Sequence, residues 1–318
     1  MSAAVQPSAA STSSAGNADI DLAATTFKRL HPVAYLSRFL DSSAREDGRS
    51  LAAFRDATLS LGSISTADGS SFVRIGNTSC IAAVKAEIAS PQLSRSRQGY
   101  LIPNVELPAV CSSKFKAGAP GPEAQVLTSR LLALLNSSNV LDRDQLCIQE
   151  GQAVWCLYLD ISFICFDGNA LDAAALATVA ALSNTTLPNA TYDPDSEVVR
   201  CSSSPADRVA LQMGSIPFAS SFAIFENKHL LSDPTAFEAA LASSHVTIAL
   251  SLDPQASTQS KAEPIVTYIH QSGRLATTTS DPPSHATDQQ NLQTCIDRAH
   301  ARATVLAALL RQAQSSSA

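Results

Sequence analysis

Four basic side chains lie close together on two polar stretches, Arg95 with Arg97 and Lys114 with Lys116, and these are the only close-set cations outside the regular elements that the sequence suggests. Against a nucleic-acid backbone such groups would neutralise phosphates through sequence-independent, salt-sensitive contacts; on a plain surface loop they are simply solvated. Arg45, Asp47 and Arg49 surround Gly48 and read either as a turn-stabilising salt-bridge set or as a contact to a neighbouring subunit. Asp233, just ahead of Pro234, reads as an Asx cap for a helix over Pro234–Leu241. The histidines His31, His229, His245, His270, His285 and His300 show no metal-ligand spacing, so neither a metal nor a cofactor is expected. The seven cysteines are odd in number and include no C-x-x-C pair, which suits reduced, buried or half-buried thiols. Trp155, with Val154, Leu157 and Leu159, reads as a core or interface group.

Composition bounds what these residues can do. A chain of 318 residues with 45% hydrophobic content can bury a large core. Its net charge of −6 argues against gripping nucleic acid through the overall field, although it leaves room for a local basic patch. No apolar run reaches the roughly 18 residues of a membrane span, and the first basic residue is Lys28, so neither a membrane segment nor a charged leader is expected.

The elements that must position these groups follow from hydrophobic periodicity. Residues 1–18 are almost entirely small and polar, and a disordered tail is expected, extending to residue 24. Helical spacing appears over Thr25–Leu40. The period then switches to two, predicting strands at Thr58–Ile64, Ser71–Ile75 and Cys80–Ile88 joined as an antiparallel meander. A helix opens at Pro122 and Glu123 and runs through Asn136, with Val126, Leu127, Leu131, Leu134 and Leu135 on its apolar face. Two strands follow, Val154–Leu159 and Ile161–Phe166, then the turn Asp167-Gly168-Asn169 and an Ala-rich helix over Ala170–Leu182. Residues 188–214 are polar and broken by prolines, and read as a linker or surface loop between a first half (25–187) and a second half (215–318). The second half predicts strands at Phe218–Phe225, His229–Leu231, Val246–Leu252 and Ile265–His270. A hairpin turn is expected at Gln271–Arg274, and a helix from about Asp288 to Arg311. The class is α+β, with a β-meander-plus-helix unit used twice.

Ordered segments along this frame carry a resemblance. They include Arg45–Arg49, Leu61–Ser70, Gly76-Asn77-Thr78, Ala83–Glu87, Tyr100–Val105, Cys111–Phe115, Pro120–Val126, Phe218–Ala223 and Asp233-Pro234-Thr235. In this order they resemble the RNase PH superfamily, and within it the ring subunits of the eukaryotic RNA exosome, over about residues 27 to 310. The resemblance implies an RNase PH-like fold of duplicated units, of the ribosomal protein S5 domain 2-like type. It also implies a six-membered ring with a central RNA channel. The implied partners are other RNase PH-like ring subunits, S1/KH cap subunits, associated exoribonucleases and RNA, with no membrane. The implied processes are ribosomal RNA maturation and RNA decay in nucleus, nucleolus and cytoplasm.

The same resemblance locates the positions that do chemistry in active, phosphate-dependent relatives. Phosphorolysis needs a cationic phosphate pocket, arginines for the RNA backbone, and a carboxylate to assist the leaving oxygen. The Ser/Thr-Arg pair that follows the acidic-glycine turn in active relatives is here Ala170-Leu171. Their Arg-Arg pair at the start of the middle helix is here Glu123-Ala124. Of two aspartates six residues apart, Asp233 matches the second, and Asn227 occupies the place of the first. A non-catalytic subunit is therefore expected, one that supports 3′-to-5′ RNA processing and helps line the channel, with Lys114, Lys116, Arg95 and Arg97 as the candidate RNA contacts. The alternative is a phosphate-dependent 3′-to-5′ exoribonuclease.

Overall fold

The computed structural model describes residues 13–202, 204–252, 264–274 and 285–317. The chain divides into two compact units, residues 1–51 and 52–318.

The first unit contains α1 (Ser13–Leu30) and α2 (Pro32–Asp41). The helix expected over Thr25–Leu40 is thus two helices, broken where Pro32 removes an amide donor and opens a new first turn. The tail expected over 1–24 is helical from Ser13, in keeping with the helix propensity of its alanines, while 1–12 lie outside the described residues. The turn after α2 holds itself together. Arg49 donates from its amide (3.1 Å) and its Nε (2.6 Å) to the Asp47 carboxylate, and the Gly48 amide donates to the Arg45 carbonyl at 3.0 Å.

The second unit begins with β1 (Ala57–Leu61), β2 (Gly69–Ile75) and β3 (Thr78–Ala89), the expected antiparallel meander. β4 (Tyr100–Glu106) and α3 (Pro122–Ser138) follow, then β5 (Cys147–Gln149), β6 (Ala153–Cys165) and α4 (Ala170–Ser183). The first sheet runs β1-β2-β3-β6-β4, with β5 added on β6. The two strands expected around residue 160 are one long β6, because no turn residue interrupts Ala153–Cys165. β4, absent from the periodicity reading because Pro103 sits in it, pairs with β6 in parallel as an edge strand.

β7 (Thr186–Leu187) closes the expected first half, and the stretch expected as a linker holds β8 (Ala190–Asp193), β9 (Val198–Cys201) and β10 (Val209–Ala210). β8 and β9 pair with each other, and β10 returns to β7, so the prolines punctuate short hairpins and do not separate domains. Beyond them come β11 (Ile216–Phe225), β12 (His229–Ser232), α5 (Ala236–Leu241), β13 (Ser244–Leu252), β14 (Ile265–Ser272) and α6 (His285–Ser317). Their sheet has the order β12-β11-β13-β14, which is not a simple meander: α5 carries the chain across so that β13 joins the far side of β11. The hairpin turn expected at Gln271–Arg274 is also corrected, since Gln271 and Ser272 still pair with Val246 and His245 on β13.

One core serves both halves. α4 is buried from Leu171 to Leu182 and packs on strands of both sheets, which explains why it is apolar all round and not along one stripe. Its alanines allow close approach. The Ser71 hydroxyl donates to the Ala177 carbonyl at 2.7 Å, and a Cβ at Gly69 would lie 2.7 Å from the Ala181 carbonyl oxygen. On α3, Leu127, Leu131, Leu134 and Leu135 are buried as expected, but Val126 is 51% exposed. α6 buries Cys295, Ala299, Ala303, Leu306 and Leu310, and Trp155 belongs to the core. All seven cysteines are free thiols; Cys165 and Cys201 are exposed, contrary to expectation, because they end β6 and β9. Burial pushes the Cys80 and Cys295 thiols up to about 12, leaving them without thiolate character near neutral pH.

Candidate functional site

The turn Asp167-Gly168-Asn169 joins β6 to α4 and sets the geometry of the site. Gly168 has φ +76 and lies so close to α5 that a Cβ would sit 2.5 Å from the Ala236 amide nitrogen, so only glycine fits. The Thr78 hydroxyl clamps the turn from β3, donating to the Gly168 carbonyl (2.9 Å) and accepting from the Asp167 amide (3.1 Å). Asn169, itself in the left-handed region, then directs its side-chain amide at two carboxylates, 2.6 Å from Asp233 Oδ1 and 2.7 Å from Asp172 Oδ2.

Asp233 is not the helix cap that its position suggested. Thr235 caps α5, accepting from the Glu238 amide, while the Glu238 carboxylate accepts from the Thr235 amide in a reciprocal capping box. Asp233 instead turns inward, with its side chain 1% exposed, and meets Arg55. Arg55 Nη2 donates to Oδ1 at 2.8 Å, and its Nε and backbone amide each donate to Oδ2 at 2.9 Å. Burial pushes the Asp233 pKa upward, but the Arg55 hydrogen bonds and charge outweigh it and hold the carboxyl at about 2. Asp172 has the opposite balance. Fully buried, it is raised to about 6 by desolvation, against hydrogen bonds from the Ser221 hydroxyl and amide, both 2.8 Å, and from Asn169.

Beside this network is a cavity of about 390 Å³ between the first turns of α3 and α4 and the strands β11 and β13. Glu123, Ala170 and Leu171 line it, so three of the matched catalytic positions do converge on one space. Ala124 is buried behind Glu123. Asn227 is elsewhere: with Glu226 it makes the left-handed turn between β11 and β12, and its Oδ1 accepts from the Ser243 hydroxyl. Among the lining side chains the sites for an anion are Arg130 and His245, which the sequence reading did not single out; their helix and strand positions gave no local signal. Arg55, Asn169 and Asp172 were missed as a group for the same reason, since their partners are far away in the chain.

The four basic candidates fare differently. Lys114 Nζ lies 2.6 Å from Glu123 Oε1, which ties the loop to the start of α3 and offsets the lysine charge. Lys116 is exposed on the same loop. Arg95 and Arg97 are exposed on the turn after β3, and Arg95 shares a second, polar depression of about 620 Å³ with Arg143.

The match to known proteins agrees with this architecture. Residues 53–188 match the model of RNase PH, the 3′ exoribonuclease family, domain 1. The exosome complex component rrp43 of Schizosaccharomyces pombe is 41% identical over 224 residues, which is 70% of this chain and 82% of that protein. This chain belongs to the RNase PH family of exosome components. The rrp43 protein is the counterpart of exosome component eight, a ring subunit. The family member Rrp42 of Methanosarcina mazei, also an exosome complex component, is 30% identical over 231 residues, 73% of this chain and 82% of that one. The fold is likewise shared with a chain from the Archaeoglobus fulgidus exosome with RNA bound to the active site, at a TM-score of 0.68 and 26% identity, covering 85% of this chain and 96% of that one. The RNase PH fold expected from the sequence is thus confirmed.

Proposed function

We propose that this chain is a non-catalytic subunit of the exosome ring, supporting 3′-to-5′ RNA processing and decay without cleaving RNA itself. One observation carries the reading: the cavity where a phosphate clamp would have to stand is walled by Ala170 and Leu171, with Glu123 at its rim. Neither the Ala170 nor the Leu171 side chain has a donor for an anion, and Glu123, a carboxylate paired with Lys114, supplies none. The nearby Asp233 is ionised and saturated by Arg55, so it has no proton to give a leaving oxygen at neutral pH. Losing oxyanion or phosphate stabilisation of this kind costs about 3 kcal/mol or more of transition-state stabilisation per lost group.

The partners in this reading are the other RNase PH-like ring subunits, the S1/KH cap subunits, associated exoribonucleases and RNA, in nucleus, nucleolus and cytoplasm. Support comes from the name of the yeast relative and from the solved archaeal assembly. Surface character adds to it: Ile102 and Tyr158, side by side on β4 and β6, are 43% and 37% exposed, as suits a face that a neighbour covers. Arg95, Arg97 and Lys116 are the RNA contacts of this reading, with Lys114 occupied by Glu123.

The test has two parts. Affinity purification of the tagged chain from its own cells should recover the other ring and cap subunits in near-equal amounts, and recovery of the chain alone would sink the assembly. The purified chain, given RNA and inorganic phosphate, should release no nucleoside diphosphate. Phosphate-dependent release would restore the exoribonuclease alternative.

A further inference from the structure

The cavity lined by Ala170 and Leu171 has the dimensions of a ligand site. Its volume, about 390 Å³, lies within the range of small-molecule sites. Most of its wall is apolar, and Leu127, Phe166, Leu171 and Phe222 are among the lining residues. Two lining side chains carry full charge. Glu123 at the rim is paired with Lys114. Arg130, further along α3, is half-buried and has no hydrogen-bond or carboxylate partner among the described residues. An unpaired guanidinium on the wall of an apolar cavity is a recognition element for an anion, since a desolvated charge gains most from a partner that neutralises it.

Further groups refine the ligand. His245 lines the same cavity and is kept mainly neutral, because burial and the Arg130 charge lower its pKa against a hydrogen bond to the Ala239 carbonyl. Asn169 Oδ1 is buried and accepts nothing, although the Nδ2 of the same amide is fully used. The charge inventory therefore suits one negative charge and not two: Arg130 is the single permanent cation, and Glu123 stands at the entrance.

We propose that this cavity binds a small organic monocarboxylate with an aryl or acyl body, the carboxylate on Arg130 and the body among Leu127, Phe166, Leu171 and Phe222. The preference is distinct from phosphate or RNA, whose double or repeated charge the site does not compensate.

The test is calorimetric titration of the purified full chain with 4-phenylbutyrate, with 4-phenylbutan-1-ol and inorganic phosphate as comparators. Two variants accompany it, Arg130→Gln and Val126→Trp; Val126 lines the cavity from the exposed side of α3, so added bulk there closes the space without entering the core. The expected result is one saturable site for 4-phenylbutyrate, weakened about tenfold or more by Arg130→Gln and by replacing the carboxylate with an alcohol. Binding should be abolished by Val126→Trp and unaffected by phosphate. Circular dichroism and melting of both variants should match the parent; if either variant fails to fold, two-dimensional NMR of the parent with the same ligands must place the perturbed resonances at the cavity. Absence of 4-phenylbutyrate binding overturns the proposal. So does binding indifferent to Arg130→Gln, or displacement by phosphate, which would mean that the site retains an anion preference of the phosphorolytic kind.

Discussion

Arg55 and Asp233 are 178 residues apart in the chain and form a bidentate ion pair with side chains 6% and 1% exposed. The pair joins the start of β1 to the end of β12, and so ties the first sheet to the second. Arg55 is held in turn by other groups: its Nη1 donates to the Asp167 carbonyl at 2.8 Å, and its own carbonyl accepts from Arg302 of α6 at 2.7 Å. Burying two charges is costly, and here the cost is offset by hydrogen bonds from Arg55 Nε, Nη1, Nη2 and backbone amide.

Removing one partner should therefore be much worse than removing both. Asp233→Ala leaves the Arg55 guanidinium buried without its counter-ion and is expected to destabilise the chain by about 3–5 kcal/mol. The double variant Arg55→Met/Asp233→Leu should lose less than the sum of its singles, measured by urea unfolding. Additive losses would show that the two side chains act independently.

Stability should depend on pH through the two buried carboxylates, with opposite signs. Asp172 is raised to about 6 when folded, so between its ordinary value and that point the native state binds the extra proton. Its contribution is greatest at low pH and is lost as pH rises toward 6. Asp233, held at about 2, contributes above its ordinary value and is lost as pH falls toward 2. Asp172→Asn can keep the Ser221 and Asn169 contacts and should flatten the upper limb alone, as read from melting temperature against pH.

The capping box of α5 predicts a smaller effect. Thr235→Ala removes the acceptor for the Glu238 amide and should cost about 1 kcal/mol. Thr235→Ser retains the hydroxyl and should cost less; equal losses for the two would argue against the cap.

In an assembled ring, Arg95→Glu, Arg97→Glu and Lys116→Glu should each weaken RNA binding and shallow its dependence on salt by roughly 0.7 per lost phosphate contact. Lys114→Gln should have little effect, since that ammonium already faces Glu123 at 2.6 Å. Filter binding across a salt series separates the two classes, and an unchanged slope in all four would place them away from RNA.

Legibility in the sequence followed the range of the interactions. The meander β1–β3 was readable because period-two alternation and the turns at Gly69 and Gly76 are local. α3 and α6 were readable for their periodic apolar stripes. β4 was hidden by Pro103, and the crossover in the second sheet was not legible because nothing near β13 says on which side of β11 it will pair. Asp233 beside Pro234 looks like a cap until Arg55 arrives from the other half.

The sequence by itself determined the α+β class and the family, and it places Ala170-Leu171 and Glu123-Ala124 at the starts of two helices, because these depend on side-chain type and local periodicity. Only the tertiary structure decided that Asp233 is neutralised by Arg55, that Lys114 is spent on Glu123, and that Arg130 and His245 face one apolar cavity. The physical reason is that charge state and partnership are set by desolvation and by neighbours within a few ångströms, and here those neighbours are brought together by folding over long stretches of chain.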